Sequence, residues 1–321
     1  MQQNLGRRLL HGLEVIPSIA WILIALLIIF CTIAPHFATV TNLFNLFRQG
    51  TVLTIVAAGM LIAIASGGID LSVGALIGLT GTVIAFTMGK GLSWPLAMIL
   101  GVLVCSLAGL VSGLIISKGH IFPFVVTFGM LFIAQSVALG LSNGGSIHIA
   151  GKSFGMIDGG YFLSLPIPFW VSLGAVLIVL VLMKRTTFGR YIFSVGSDAT
   201  SAGWMGINVD LTRVLVYILS GTLAGIAGVV MASRVNTGNA LIGQGTEFFA
   251  IASVVIGGTP ITGGRGSWAG AILGSYVITV LQNGLTLMGL SSQLTSAIVG
   301  VTLMLGVIFA QLMYRGGSRG K

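Results

Sequence analysis

The sequence predicts an all-α integral membrane protein of about ten membrane-spanning helices, some of them broken. Three observations carry that expectation. Of 321 residues, 55% are hydrophobic and 7% charged, with a mean hydropathy of +1.08, so charged side chains are too few to cover a globule in water. Apolar runs near bilayer-spanning length recur along the whole chain with short polar joins. Paired glycines interrupt the pattern at several of those joins, as in "SGGIDLSVGA" (66–75). The joins leave no room for a soluble ATPase or binding domain, and 1–321 reads as a single transmembrane domain.

Taken in order, the runs are 16–34, 50–66, 71–89, 94–117, 121–141, 162–183, 213–233, 246–258, 267–288 and 293–313. The first follows Arg7 and Arg8 as a signal peptide would. It is too long for one and lacks a small-x-small cleavage site, so it is expected as a retained helix. The run 246–258 is too short to cross alone, since a crossing needs about twenty residues. It is expected to be re-entrant or extended through the Gly-rich segment behind it.

An even number of crossings puts both termini on one side. With the N-terminus cytoplasmic, Arg7, Arg8, Lys118, Lys184, Arg185, Arg190, Arg213, Arg265, Arg315, Arg319 and Lys321 fall inside. Only Arg48, Lys90, Lys152 and Arg234 fall outside, which fits the positive-inside rule. The excess of 15 basic over 6 acidic residues is therefore read as topology, and no nucleic-acid partner is expected. The inside loop 184–212 has enough polar and small residues for a short surface helix between turns. It is either a solvated connector or a docking surface for a cytoplasmic protein. On the other face, 142–161 is Gly-rich and nearly uncharged, suited to an exposed loop that another protein covers.

Asp70 is an acidic residue set between two long apolar runs. Gly67 and Gly68 end one helix, and Asp is a preferred N-cap, so its carboxylate is expected to accept from the N–H groups of Ser72 and Val73 as a helix restarts at Leu71. A second reading places Asp70 on an aqueous path, because intramembrane ionisable groups are functional candidates. Both readings stand at this level. Gln135, Gln282, Asn283 and Thr286 are polar residues inside apolar runs, and each needs a partner helix or a water-filled path. The pairs Gly74/Gly78, Gly221/Gly225 and Gly270/Gly274 have small-xxx-small spacing and are read as helix packing.

"GALIG" (74–78) and "GAILG" (270–274) each follow a Gly-Gly pair and an "AIAS", a faint internal echo of the kind that points to a pathway of broken helices. The segment 254–270 has the glycine spacing of a phosphate loop at Gly258 and Gly263. Gly264 and Arg265 stand where Lys and Ser or Thr should be, which excludes nucleotide binding. Cys31 and Cys105 are expected as buried small residues, and the scattered histidines offer no metal-ligand spacing. No nucleophile and base pair or paired carboxylate appears, so catalysis by this chain is not expected.

Three stretches together carry a family likeness: "SGGIDLSVGALIGLTG" (66–81), "TTFGRYIFSVGSDATSAGWMGINVDLTRVLVYILSG" (186–221) and "AIASVVIGGTPITGGRGSWAGAILGSYVITVLQNGLTLMGLSS" (250–292). With "APHFATVTNLFNLFRQ" (34–49), the chain resembles the monosaccharide ABC importer permeases of the ribose type, over nearly its whole length and in the same order. The resemblance implies a bacterial inner-membrane subunit with a type II importer-like fold of ten helices, both termini cytoplasmic. It implies a second permease subunit, a cytoplasmic ATP-binding subunit that uses the ATP and Mg, and a periplasmic sugar-binding protein. No cofactor or metal is expected on this chain.

By the same match, the coupling helix falls at 197–208, through Ser197, Asp198, Ala199, Thr200, Gly206, Ile207 and Asn208. Arg48, Lys90, Lys152 and Arg234 become candidates to meet the binding protein. Gly67, Gly68, Asp70, Gln135, Gln282 and Asn283 are candidates for the helix break and pathway. Asp198 stands where such permeases carry a Glu-Ala-Ala-like pattern, and Trp204 where a polar or smaller residue is usual. The sugar is thus open between ribose and xylose, galactose or a furanose-like signal molecule. A stand-alone ion-coupled transporter is the rival class, and the scarcity of intramembrane carboxylates argues against it.

Overall fold

The computed structural model describes residues 18–149, 151–291, 293–302 and 304. Arg7, Arg8, the end of the last apolar run, the basic C-terminal residues and the Lys152 side chain lie outside the described residues. A helix forms on each expected run: α1 (Ser18–Ile33), α2 (Val40–Ala65), α3 (Val73–Gly89), α4 (Trp94–Gly119), α5 (Pro123–Leu141), α7 (Ile167–Arg185), α10 (Val209–Val235), α11 (Thr246–Ile256), α12 (Trp268–Leu287) and α13 (Gln293–Thr302). Between them lie the short helices α6 (Lys152–Gly159), α8 (Thr187–Ser197) and α9 (Ala199–Trp204). Of the described helices, α2, α4, α5, α7, α10 and α12 are long and apolar enough to cross a membrane.

Local chemistry explains most of the boundaries. Pro95, Pro123 and Pro168 sit in the first turns of α4, α5 and α7, where a missing N–H leaves no hydrogen bond unmade. α2 begins ten residues earlier than expected. Thr39 caps it by accepting from Asn42 N–H at 3.2 Å, and its polar first turns hid it from an apolar-run reading. α10 likewise begins at Val209, because Asn208 accepts from Leu211 N–H at 2.9 Å.

Of the six long helices α2 is the most enclosed and α5 the least: 83% of the most apolar stretch of α2 is buried, against 22% for α5. The apolar outer faces of α4, α5 and α7 are left for lipid. α10 packs on α4, α2 and α3. Its pair Gly221/Gly225 faces Cys105 and Val102 of α4, while Gly109 and Gly113 of α4 receive Tyr217 and Val214. Gly270 and Gly274 face Gly257 and Ser253 of α11, and Gly74 and Gly78 face Gly243 and Ala240. All three small-xxx-small pairs therefore pack within the chain, as expected.

Those contacts also show how the chain reaches the short run. From Gly238, beside Gly81, through Ala240, beside Gly78, to Gly243, beside Gly74, the chain runs irregularly along α3, and α11 continues to Gly257 beside Gly270. Gly238, Ala240 and Gly243 of this irregular stretch are buried against α3, while Leu241 and Gln244 are exposed. The bundle thus has two distinguishable ends. One carries Gly67, Gly196 and Gly264; the other carries Asp158, Arg234 and the paired strands β1 (Ile147–His148) and β4 (Thr237–Gly238). The hairpin of β2 (Tyr161–Phe162) and β3 (Leu165–Pro166) precedes α7.

Three expectations need correction. Cys31 is exposed on α1 rather than buried, whereas Cys105 is buried beside Thr80 Oγ1 at 2.9 Å. The segment 142–161 is more than an exposed loop, since Ile149 and Phe154 are buried against α3 and α10. The loop 184–212 holds two short helices rather than one, because Asp198 ends α8 and caps α9.

Candidate functional site

The break between α2 and α3 is built from backbone first. Gly67 N–H donates to Ile64 O at 2.9 Å and Gly68 N–H to Ala63 O at 3.0 Å, with Gly67 at φ 85°. This paired closure satisfies the last carbonyls of α2 and needs a residue at ease in the left-handed region. At Gly68 the requirement is space: a Cβ there would collide with the Tyr217 hydroxyl. Thr127 of α5 pins the turn by donating to Ile69 O at 3.1 Å.

Asp70 is 1% exposed. Its Oδ1 accepts from Ser72 N at 3.0 Å and Ser72 Oγ at 2.6 Å, and its Oδ2 accepts from Ser220 Oγ at 2.6 Å. The expected cap is thus corrected in detail. α3 starts at Val73 rather than Leu71, Ser72 holds the N-cap position without a side-chain cap bond, and Asp70 closes a turn on Ser72 instead of bonding Val73. The tie to Ser220 on α10 was not expected. Arg213, Tyr217 and Ser220, spaced i, i+4, i+7, form the α10 stripe that faces the break, a periodicity visible in the sequence but carrying no signal without the partner.

Beside this break two further loops meet it. Gly264 N–H donates to Ala65 O at 3.0 Å. A side chain on Gly196 would strike Ala65 O and Gly264 N, and one on Gly263 would strike Gly67. The last turn of α2, the joint between α8 and α9, and the loop from α11 to α12 therefore share one backbone-to-backbone junction. Gly263 and Gly264 of the phosphate-loop-like segment serve this approach, whereas Gly258 stands clear of it.

The residues matched to a coupling helix continue from the junction. Asp198 accepts from Thr200 N at 2.8 Å, Ser201 N at 3.2 Å and Ser201 Oγ at 3.0 Å. The Ser201 backbone N–H, followed by its hydroxyl and the Thr200 N–H, holds the Asp198 carboxyl below its ordinary pKa. Ser197, Thr200, Gly206 and Asn208 are exposed and Ala199 and Ile207 partly so. Trp204 and Met205 stand out at 84% and 69% exposure, a hydrophobic tip on a polar surface. Ile207 N–H closes on Ala202 O at 3.1 Å, with Gly206 at φ 81°.

The remaining candidates are placed elsewhere. Asn283 is buried and exchanges bonds of 3.0 Å with Asn42 in both directions, with Gln49 Oε1 at 3.4 Å. Asn42 and Ala65 are 23 positions apart on α2, about 35 Å along a helix, so this amide cluster and the break lie at opposite ends. Gln135 and Gln282 are half-buried on α5 and α12. Arg234 pairs with Asp158 at 3.1 Å and also donates to Arg48 O, while the Arg48 guanidinium lies 5.0 Å from the Tyr161 ring centre. Lys90 is exposed, 5.5 Å from the Phe86 ring centre.

Residues 42–307 match the family described as the permease component of branched-chain amino acid transport systems. The chain belongs to this transport permease family. The permease is 34% identical to the ribose import permease protein of Escherichia coli (strain K12), over 89% of this chain and 90% of that protein. It is 33% identical to the D-allose transport system permease protein of the same strain, over 91% and 90%. With a probable ABC transporter permease protein of that strain, the permease shares 34% identity over 94% and 91%. A transport permease carries no chemistry on its cargo, so the site is to be judged by what it holds apart and what it joins.

Proposed function

We propose that this chain is the membrane-spanning subunit of an ATP-driven importer that moves a monosaccharide, ribose or a related sugar, across the bacterial inner membrane. Relatives aligned over nearly their whole length carry ribose or D-allose in their names, which favours a sugar over the amino acids of the family description. The chain crosses ten times with both termini in the cytoplasm, α1, α3, α11 and α13 completing the six long spans. The Gly67 end is cytoplasmic, in keeping with Lys118, Lys184, Arg185, Arg190, Arg213 and Arg265 near it. A separate ATP-binding subunit docks on α9 and its flanks, from Ser197 to Asn208. A periplasmic sugar-binding protein meets the Asp158 end, where Lys90 is exposed, and a second permease subunit completes the pathway.

One observation carries the mechanism: the exposed tip of α9 is one junction away from the Asp70 break. Docking energy delivered at Trp204 and Met205 reaches Gly196 through α9 and the end of α8, and from there Ala65 and Gly264 through direct backbone contact. A bundle packed backbone to backbone does not deform continuously, so a push at α9 moves the break between discrete arrangements. Proteoliposomes holding the permease, the ATP-binding subunit and the binding protein test this reading. Uptake of labelled ribose is expected to survive a protonophore and to stop when the ATP-binding subunit is left out. Uptake that stops with the protonophore and continues without the ATP-binding subunit contradicts it.

A further inference from the structure

α4, α5 and α10 enclose a cavity of about 340 Å³ against the break, with Ser66, His120, Arg213 and Tyr217 on its polar wall. The Tyr217 side chain is 1% exposed, yet its hydroxyl has no hydrogen-bond partner among the described residues. A buried donor left unpaired is costly, so this one calls for a partner. Arg213 lies one helical turn from it and is half-buried, and among the described residues no carboxylate comes within ion-pair distance of its guanidinium. Among the described residues no carboxylate lines the cavity. Asp70, in the neighbouring turn, has both oxygens occupied by Ser72 and Ser220. His120 closes α4 in the left-handed conformation and is exposed at the mouth.

A neutral sugar accepts hydrogen bonds from a guanidinium but does not neutralise its charge. An anion with several acceptor oxygens does, and basic pockets between membrane helices suit phosphate head groups. The lip of the cavity is apolar and turned outward: Phe122 is 70% and Ile121 43% exposed, so acyl chains find a surface where a phosphate finds its donors. We propose that this cavity is a binding site for a phosphate ester, with Arg213 supplying charge, His120 a ring N–H donor and Tyr217 a hydroxyl donor. The ester comes from the head group of an anionic phospholipid or from a soluble phosphate monoester. Its occupancy wedges Tyr217 against Gly68 and so biases the break.

Two arms separate the sources. In the first, the detergent-purified chain is equilibrated with phosphatidylglycerol and phosphatidylcholine, and retained lipid is counted by native mass spectrometry. The expected result is a preference for phosphatidylglycerol that falls about tenfold in Arg213→Gln and a few-fold in the near-isosteric Tyr217→Phe, with little change in Lys118→Gln, which removes an exposed charge from the same end. In the second, the chain in phosphatidylcholine nanodiscs is titrated with glycerol 3-phosphate and its thermal stability followed. Saturable stabilisation lost in the same two variants assigns a soluble source and upholds the site. If neither phosphatidylglycerol nor glycerol 3-phosphate is preferred, or if Lys118→Gln weakens binding as much as Arg213→Gln, the proposal is overturned. Tyr217→Phe alone decides the matter should Arg213→Gln fail to fold.

Discussion

Ser220 donates its hydroxyl hydrogen to Asp70 Oδ2 at 2.6 Å, joining positions 150 apart in the chain. The bond holds the α2–α3 break against the middle of α10, and with the two bonds from Ser72 it gives each carboxylate oxygen a donor. Replacing Asp70 by Asn leaves an acceptor for Ser72 and an amide that Ser220 can accept from. Asp70→Asn is therefore expected to fold and to lose about 1 kcal/mol, the order of one altered hydrogen bond. Asp70→Ala strands the Ser72 and Ser220 donors and is expected to lose about 2–3 kcal/mol. Thermal denaturation of the detergent-purified protein ranks the two, and equal losses would contradict the bonding described.

Gly68 and Tyr217 make a second pair whose logic is steric. Gly68→Ala forces the Tyr217 hydroxyl from its place and is expected to lower both thermal stability and uptake. Tyr217→Phe removes the atom that the new Cβ meets, so Gly68→Ala combined with Tyr217→Phe is expected to recover part of the loss. A double variant worse than the sum of the singles would show that the collision is not the cause.

At the other end of the bundle, Asn42 and Asn283 each donate to the other, and Asn42 also donates to Phe37 O at 3.0 Å. Asn283→Leu leaves buried amide groups of Asn42 unmatched and is expected to cost about 1–2 kcal/mol, while the joint Leu replacement costs less than the two singles added. A double-mutant cycle on thermal unfolding measures this directly. Additive losses would mean the amides do not interact.

The cap of α9 titrates in a stated direction. Asp198 accepts from Ser201 and Thr200, which lowers its folded pKa, so the stabilisation is present above the ordinary carboxylate value, about 3.9. It is lost as pH falls through the lowered folded value. Amide exchange at Thr200 and Ser201 is expected to accelerate over the acid range beyond its intrinsic pH trend, and Asp198→Asn is expected to flatten that excess. An unchanged profile in Asp198→Asn would remove the cap from the account.

Much of this architecture is legible from local chemistry. The prolines that open α4, α5 and α7 and the glycines that close α2 act within a few residues of themselves, so the breaks and most spans could be placed. The bond from Ser72 to Asp70, two positions apart, was within reach for the same reason. What escaped depends on distant partners. The start of α2 is polar because Asn42 answers Asn283, 241 positions away. Ser220 and Tyr217 look like ordinary residues of an apolar helix until α10 is laid against the break. The glycines at 196, 263 and 264 gave no hint that they meet each other and Gly67, because close approach is a property of the packed bundle. Of the four basic residues expected outside, Arg234 is committed to Asp158 and Arg48 to a Tyr161 ring, pairings that charge counting does not see.

The central claim is that docking at α9 reaches the Asp70 break through the Gly196 junction. The most direct measurement is the ratio of ribose taken up to ATP hydrolysed in proteoliposomes that hold the full transporter with Gly196→Ala in this chain. A Cβ at Gly196 pushes against Ala65 O and Gly264 N but touches neither the exposed face of α9 nor the Asp70 carboxylate. The ATP-binding subunit should still co-purify and still hydrolyse ATP, while the uptake-to-hydrolysis ratio falls severalfold. A ratio unchanged from the natural chain, with the variant folded and the subunits assembled, would contradict the claim.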